Sequence, residues 1–373
     1  MAQVNSVNIR QIAEEAGVSH ITVSRALRDY PSVAKATKAR VLAVAQRLGY
    51  KNNPLVQAYA THIRRGKVGG AEACNLAWLA SNRESLQLWP WQSAFHTGAF
   101  ERAAELGYSM DDSINAHGVS DHQLDRVMQA RGIRGVILPF IAYFDRDPYQ
   151  RSHLATVGIG ETPAQTPMHC VTPDHFKNVT AAVDRLLAYG YQRIGFCEHG
   201  FSTVMSQGAQ WGSFLFNQAR IPVEQHVPAL VGIMSSAEDE LAARDAFLRW
   251  LERHRPDAIL VTFNQVGAWL ADAGIRVPDE VAVAHLGLSQ DVQGWSGMNY
   301  SSAEIGSAAV DLLTSHIMRN EYGIPESPKL MHITGKWVDG RTTSKPEGSI
   351  RAELPASESH PYDWFEHEFW SER

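Results

Sequence analysis

The sequence predicts a small all-α unit at the N-terminus, followed by a larger α/β unit with parallel sheets. Three observations lead to this fold class. The chain has 373 residues, which is more than one compact domain usually holds. The first 50 residues carry helical periodicity only, whereas short apolar runs alternate with helical patterns from Ala73 onward. The charge also changes sign between the two parts.

Residues 1–67 contain 11 Lys and Arg against 3 Asp and Glu, whereas the rest of the chain contains 23 against 37. A basic N-terminus attracts a polyanion such as DNA, and an acidic body repels it. Charge asymmetry alone is weak evidence, so a motif is needed to interpret it.

Other features exclude several classes of protein. No apolar run approaches the roughly 20 residues of a membrane span, and the first residues do not resemble a secretory signal. We therefore expect a cytoplasmic protein with no membrane partner. Three scattered cysteines without CxxC spacing predict reduced thiols, and no histidine pair has metal-ligand spacing. We expect neither a metal nor a cofactor.

The basic N-terminus carries a helix-turn-helix pattern from Asn8 to Leu27. Gly17 stands where a helix ends in a left-handed residue, and Ser19 stands where the next helix needs an N-cap. The apolar positions predicted to face inward are Ile9, Ile12, Ala13, Ala16, Val23, Ala26 and Leu27. A third helix has its apolar positions at Val33, Val41, Leu42, Val44 (or Ala45) and Leu48.

The second helix then presents an outward edge of short hydrogen-bonding groups and one guanidinium, formed by Ser19, His20, Ile21, Thr22, Ser24 and Arg25. Side chains of these types reach phosphates and base edges in a major groove. The alternative is an ordinary helical hairpin with a solvated basic face.

The run from Ile12 to Leu27, followed by Thr37, Val41-Leu42 and Leu48-Gly49-Tyr50, resembles the headpiece of the lactose-repressor (LacI/GalR) family. The resemblance implies that His20, Ile21 and Arg25 read bases, and that Asn8, Thr22, Ser24 and Thr37 contact phosphates. Two departures matter. Ile21 suits only an apolar feature such as a thymine methyl group. Ala34 replaces a capping serine at a cost of ~1 kcal/mol, for which Ser32 is a partial substitute.

Residues 1–51 are thus predicted to bind DNA, and residues 52–70 to form a hinge helix and linker. Asn53 and Pro54 suit the start of a short helix, which is marginal when isolated. The resemblance implies that two such helices of a dimer enter the minor groove, with contacts from Asn53 and Val56 and with Tyr59 at the wedge position. The alternative is a plain linker whose basic residues lie near phosphates.

The body, residues 71–343, alternates strands and helices. The predicted strands are Cys74–Ala80, Gly135–Leu138, Thr156–Ile159, Arg193–Cys197, Ala258–Thr262 and Val281–Leu286. The predicted helices are Ala94–Leu106, Val179–Tyr189, Ser213–Ala219, Glu238–Arg253, a short one reaching Ala273, and Ala303–Met318. Motifs such as Arg255–Leu260 and Gly274–Val281 are similar to the same family's effector domain, which implies two lobes of periplasmic-binding-protein type.

The expected ligand site lies beyond the carboxyl ends of the strands. Its candidate residues are Ser81, Trp91, Asp174, Thr180, Trp211, Phe263, Asn264 and Tyr300. The charged residues that sugar-binding members carry are replaced here, and aromatic rings are gained. This exchange predicts a sugar-like or aromatic-stacking metabolite as effector. Two alternatives stand: the rings fill a core and the site is vestigial, or Asp174 simply caps the helix that begins near His175.

The tail, residues 344–373, is acidic and ends in the aromatic run Tyr362–Trp370. It is either a flexible extension or a docking segment whose rings cover a neighbouring surface.

Together these features predict a homodimeric repressor that binds operator DNA under control of a small-molecule effector. The alternatives are an enzyme and a transport-type binding protein. No GxSxG, GxxxxGK[ST], GxGxxG or HExxH motif supports an enzyme.

Overall fold

The computed structural model describes residues 9–27, 33–48, 75–79, 90–114, 120–139, 153–160, 167–233, 239–289 and 292–344. The N-terminal head has three helices, α1 (Ile9–Ala16), α2 (His20–Leu27) and α3 (Lys35–Arg47). Residues from all three helices form its core: Ile12, Ala13, Ala16, Val23, Ala26, Val41, Val44 and Ala45. Leu42, expected to be an inward position, is instead 43% exposed, because Val41, Val44 and Ala45 already form the buried face of α3.

The body contains two six-stranded sheets. The strands of the first sheet are β1 (Asn75–Trp78), β2 (Ser109–Asp111), β3 (Ile133–Pro139), β4 (Ala155–Ile159), β5 (His169–Pro173) and β11 (Leu330–Ile333). Those of the second are β6 (Ile194–His199), β7 (Leu230–Ile233), β8 (Ala258–Val261), β9 (Ala282–His285), β10 (Ser296–Asn299) and β12 (Lys336–Val338). The first sheet is parallel and has the order β11-β5-β4-β3-β1-β2, and the second has the order β12-β10-β9-β8-β6-β7. Among the described strands of the second sheet, β10 and β12 pair antiparallel and the other pairs are parallel.

The body has two lobes, and each consists of one sheet with the helices that pack on it. The first lobe carries α4 (Pro90–Glu105), α5 (Asp121–Ala130) and α11 (Ser302–Arg319). In the second lobe, α6 (His175–Ala188) and α8 (Ala209–Gln218) pack on one sheet face, whereas α9 (Glu240–His254) and α10 (Gln265–Asp272) pack on the other. The short helix α7 (Gly200–Met205) follows β6 directly.

The chain passes between the lobes at three connections, residues 173–175, 299–302 and 333–336. The first and third connections are bonded to each other, since the Asp174 amide donates to the Ile333 carbonyl at 2.9 Å. The third is also held to the second lobe, because the Gly335 amide donates to Asn178 Oδ1 at 2.8 Å. The first and third of the three hinge connections are therefore bonded to each other, and the third also to the second lobe.

The fold class expected from the sequence is confirmed, and each predicted strand and helix of the body is present with its ends shifted by a few residues. The sequence reasoning missed the short strands β2, β5, β7, β10, β11 and β12 and the helices α5 and α7. Most of these strands have only three or four residues, which is too short for an alternating pattern to emerge.

Candidate functional site

The turn between α1 and α2 fixes the orientation of the second helix. Gly17 has φ +63°, a left-handed conformation that suits glycine, and the Val18 amide donates to the Ala13 carbonyl at 3.0 Å. Ser19 Oγ accepts the Thr22 amide at 3.1 Å, so Ser19 is the N-cap predicted from the sequence. With Val23 and Ala26 buried, the opposite edge of α2 faces solvent.

On that outward edge, Ser19, His20 and Arg25 are exposed and Thr22 is half-buried. The Thr22 hydroxyl lies 2.9 Å from Ser19 Oγ. Thr37 is half-buried in the first turn of α3. Ala34 is the N-cap of α3 and makes no side-chain capping bond, as expected for alanine.

Several predicted DNA contacts lie outside the described residues, namely Asn8, Asn53, Val56 and Tyr59. Ile21 and Ser24 belong to α2, but their side chains are also outside that description. Their roles, and those of the edge residues above, stay predictions from the sequence.

The carboxyl ends of the second-lobe strands meet the hinge in a polar cluster that we call the hinge cluster: His175, Gln210 and Tyr300. Gln210 Nε2 lies 2.7 Å from Tyr300 Oη and 3.1 Å from His175 Nδ1. The two rings contact edge to face, with centroids 5.7 Å apart. His175 and Tyr300 come from two different crossing connections, so the cluster joins both to α8.

The environment keeps the groups of the hinge cluster neutral. Burial, aided by the nearby His332, lowers the pKa of His175 to about 4, although Asp174 opposes the shift. Burial and the charge of Glu198 raise the pKa of Tyr300. Gln210 is buried, and its Oε1 has no hydrogen-bond partner among the described residues. The cluster thus offers a neutral amide acceptor on a buried side chain.

Glu198 lies at the end of β6 and is fully buried. Thr203 donates to its Oε2 at 2.9 Å, whereas Oε1 has no partner within the described part of the chain. Burial raises the pKa of Glu198 to about 7, even though the hydrogen bond from Thr203 favours the charged form. A carboxyl group that is half-protonated near neutral pH therefore lies close to the hinge cluster.

Asp174 and Thr180, two of the predicted ligand residues, have structural partners. Asp174 Oδ1 accepts the Lys177 amide at 3.0 Å and caps α6, which confirms the capping interpretation. Thr180 Oγ1 accepts from Asn217 Nδ2 at 3.0 Å, in the contact between α6 and α8. These bonds explain both residues without a ligand, and their ligand roles stay predictions.

The three predicted ligand residues beyond β6 and β8 differ in exposure. Asn264, at the start of α10, is exposed at the carboxyl end of β8. Phe263 is 6% exposed and packs between His199 and Trp269 as part of the core. Trp211 is 38% exposed and is the neighbour of inward-facing Gln210 on α8. Phe263 thus fits the alternative that the rings fill a core.

Of the remaining candidates, Tyr300 belongs to the hinge cluster, Ser81 lies outside the described residues, and Trp91 is in α4 without a described side chain. The sequence reasoning missed His175, Glu198 and Gln210. The acid that directly follows the apolar run Ile194–Cys197 was the available signal for Glu198, whereas nothing in the local pattern marks Gln210.

Helix α11 links the hinge to the head. It begins beside Tyr300 and runs 18 residues, which is about 27 Å of helix. At its far end Asn320, with φ +57°, donates through Nδ2 to the Leu27 carbonyl at 2.6 Å. The last residue of α2 is therefore bonded directly to the end of α11.

Neither a membrane-spanning helix nor a metal-binding group is found among the described residues. None of their helices has the length and hydropathy needed to cross a membrane. No group of three histidines, cysteines or acids within the described ranges is arranged to hold a metal ion.

A capped helix-turn-helix head in front of two parallel-sheet lobes with three crossings defines a class of protein: a DNA-binding head joined to a periplasmic-binding-protein-like domain. The comparison with family models agrees. Residues 8–53 match the model of bacterial regulatory proteins of the lacI family, and residues 183–343 match the periplasmic binding protein-like domain. The head of the chain thus matches the lacI family of bacterial regulatory proteins, in agreement with the resemblance noted in its sequence.

Individual relatives are distant. The chain is 28% identical to the HTH-type transcriptional regulator RafR of Escherichia coli over 201 residues, which is 50% of this chain and 54% of that protein. Several curated relatives are likewise matched over only about half their length.

Among solved structures, the chain is similar to the CelR–cellobiose complex, with TM-score 0.55, 17% identity and coverage of 90% of this chain and 99% of that one. It is also similar to the lac repressor dimer bound to operator and the anti-inducer ONPF, with TM-score 0.53, 20% identity and coverage of 91% and 99%. At these identities the two structures support the fold alone.

Proposed function

We propose that this protein is a transcription regulator, acting as a repressor, that binds operator DNA through α2 and responds to a small molecule held between its two lobes. The observation that carries the proposal is the capped turn before α2, which leaves the Ser19–Arg25 edge facing solvent. Arg25 and His20 are suited to base edges, and Ser19, Thr22, Ser24 and Thr37 to phosphates.

The DNA-bound form is expected to be a homodimer, because one head of this size covers only a half-site. The lac repressor, a fold relative, forms a dimer on its operator. Residues 52–70 would form the hinge helix, with Tyr59 at the wedge position. Since operator DNA is the proposed partner, the protein is expected to act in the cytoplasm.

The effector is expected to be a neutral, hydroxylated molecule such as a sugar. Neutral hydrogen-bonding groups (the Gln210 amide, the Tyr300 phenol and uncharged His175) lie where the crossings meet the second lobe. Such groups orient hydroxyls without demanding a charged ligand. Asn264 is exposed at the same edge of the sheet. The fold relative CelR is complexed with cellobiose, which agrees with this ligand class.

The route of coupling is argued from α11. A ligand that favours one angle between the lobes would shift the hinge connections. Helix α11 starts at this hinge, and the residue after its last turn is bonded to the end of α2. A ligand changes operator affinity only by the difference in its affinity for the two lobe arrangements. We infer that the chain binds its ligand without transforming it, and turnover of a metabolite by the purified protein would overturn that inference.

Selection of genomic DNA fragments by the purified full-length protein tests the proposal, with and without metabolites from operons next to the recovered sites. We expect a palindromic site whose recovery changes with one neutral sugar-like compound. Recovery of random fragments only, at moderate salt and with every compound, would contradict the DNA-binding role.

Arg25→Ala sharpens this test. Loss of a base-reading guanidinium should weaken operator binding by about 1–3 kcal/mol and relax the preference at one position. Thr37→Ala is the matched comparison, because loss of a phosphate contact should weaken all sequences alike. Fluorescence anisotropy with operator and random duplexes measures both. Unchanged operator preference in Arg25→Ala would show that α2 is docked in another register.

A further inference from the structure

Helix α8 has its polarity reversed. Its inner face carries the buried polar residues Gln210, Ser213, Asn217 and Gln218, with Phe214 as the buried apolar member. Its outer face carries Trp211, Leu215 and Phe216, which are 38%, 47% and 38% exposed. A surface helix of a globular protein normally buries its apolar stripe, so this arrangement needs an explanation.

The inner polar groups hold the helix in this orientation. Ser213 Oγ donates to the Phe176 carbonyl at 2.8 Å, and Gln218 Nε2 donates to the Val227 carbonyl at 2.7 Å. Rotating α8 to bury its outer face would turn these side chains to solvent and deprive the Phe176 and Val227 carbonyls of these donors, at a free-energy cost. The apolar face is therefore fixed on the surface.

The exposed face extends onto α6. Phe176 is 44% exposed, and its ring centroid lies 5.4 Å from that of Phe216. We call Phe176, Trp211, Leu215 and Phe216 the outer patch. Isolated exposed apolar residues are common, whereas neighbouring aromatic ones on two packed helices mark a surface that is covered by something.

The C-terminal segment of the same chain starts close enough to the outer patch to cover it. The Ser344 amide donates to Tyr191 Oη at 3.0 Å, just past the end of α6. Phe176 is in the first turn of that 14-residue helix, about 21 Å away. Seventeen residues, 345–361, then precede the aromatic run Tyr362–Trp370.

The length and composition of that connection suit the distance. Residues 345–361 are rich in Pro, Ser, Glu and Ala, which is typical of a linker. A flexible chain of this length has a root-mean-square span of roughly 23 Å. Effective concentration is highest when the span of the linker matches the separation of the sites, so docking within one chain needs little intrinsic affinity.

The chemistry of the two partners is also complementary. The run Tyr362–Trp370 brings five aromatic rings to a patch that contains three. Residues 345–373 carry 7 Asp and Glu against 3 Lys and Arg, whereas Lys177, 71% exposed, stands beside Phe176 and Arg220 lies one turn beyond Phe216. Lys177 pairs with Asp174 and Arg220 with Asp184, and acidic residues between the rings would share these two cations at the ends of the patch.

We propose that Tyr362–Trp370 docks on the outer patch of its own chain and covers the reversed face of α8. This role goes beyond DNA and effector binding and depends on neither of them.

The test uses the full chain in two forms: the natural one, and a tail variant in which every ring of the run is replaced (Tyr362→Ser, Trp364→Ser, Phe365→Ser, Phe369→Ser and Trp370→Ser). A labelled peptide of residues 345–373 is titrated into each. The peptide should bind the tail variant, whose patch is open, and should bind the natural chain at least tenfold more weakly, because its own tail competes.

Location is tested by adding Leu215→Ser and Phe216→Ser to the tail variant, which should weaken peptide binding at least tenfold. The matched control is Val223→Ser with Leu241→Ser, which removes two apolar side chains that are 76% and 73% exposed elsewhere, and it should leave binding unchanged. Equal binding to the patch variant, or no binding to any form, would overturn the proposal.

Hydrogen exchange provides a second measurement on the natural chain. Amides of α8 should exchange faster in the tail variant than in the natural chain. Light scattering of both forms separates docking within one chain from exchange between two copies. A lower molecular mass for the tail variant would overturn docking within the chain and assign the patch to a second copy.

Discussion

At Glu198, burial and charge are in direct conflict. The carboxyl group is fully buried with one oxygen unpaired, and its pKa is raised to about 7 as a result. Carboxyl groups with strongly shifted pKa values are found most often in functional regions of proteins. It lies close enough to the hinge cluster for its charge to help raise the pKa of Tyr300.

Glu198→Gln should remove a pH dependence of stability. Because the folded-state pKa of about 7 lies above the ordinary 4.5, the folded state holds more protons between these values. The stability of the natural protein therefore contains a contribution that is present below pH 4.5 and is lost as the pH rises through 7. At about 1.4 kcal/mol per pKa unit, the upper bound is a few kcal/mol. Glutamine cannot ionise, so its stability should lack this decline.

Urea unfolding of both proteins between pH 4.5 and 8 measures the effect as a difference curve. The difference is needed because His169 and His175, with pKa lowered to about 4, contribute in the opposite sense. Their contribution is lost as the pH falls from 6.5 toward 4, and it is common to both proteins. Parallel curves over the whole range would mean that Glu198 is ionised in the folded state.

At the scale of elements, the approach of two helices depends on residues without side chains. Helices α4 and α11 pack so closely that a Cβ at Gly306 would lie 2.0 Å from the Phe95 carbonyl oxygen, and one at Gly98 equally close to that of Ala303. The contact fixes the position of α11 relative to α4, which packs on the first sheet.

Gly306→Ala should therefore destabilise the first lobe by about 1–3 kcal/mol or more, since backbone has to move. Gly212→Ala is the matched control, because a Cβ at this position on the outer face of α8 meets nothing within 4 Å. At that position the higher helix propensity of alanine should increase the free energy of unfolding by about 0.5–1 kcal/mol. Thermal unfolding of both variants gives the comparison, and a neutral Gly306→Ala would show that the helices separate easily.

At the scale of the whole molecule, α11 is the described element that contacts both the hinge region and the head. Tyr300 precedes it in the hinge cluster, and Asn320 follows it with a bond to the Leu27 carbonyl. A chain of contacts does not by itself prove coupling, which has to be measured as a free energy between two sites.

Asn320→Gly should weaken that coupling. Glycine tolerates the left-handed backbone at this position, φ +57°, so the variant removes the amide without straining the turn. We expect the effector to change operator affinity less than in the natural protein, where coupling free energies are typically 1–3 kcal/mol. Effector affinity itself should be retained in the absence of DNA. Operator titrations with and without effector measure the difference, and an unchanged ratio would exclude this bond from the route.

Much of the fold was predictable because its signals are local. The N-cap at Ser19, the left-handed Gly17 and the alternation of apolar strands with helices each depend on neighbours within a few residues. The candidate site was less predictable. Thr180 and Phe263, predicted at a ligand, contact α8 and the core, and their ligand roles stay predictions. Gln210 went unnoticed because its partners His175 and Tyr300 are 35 and 90 residues away.

The sequence by itself indicated the order of head and body and the face of α2 that points outward, because short-range periodicity and capping specify them. Only the tertiary structure decided which polar groups meet at the hinge, that α11 reaches the head, and that α8 turns its apolar side to solvent. Those features depend on contacts between residues far apart in the chain. The free energy gained by burying or pairing such residues is set by tertiary packing and not by the local sequence pattern.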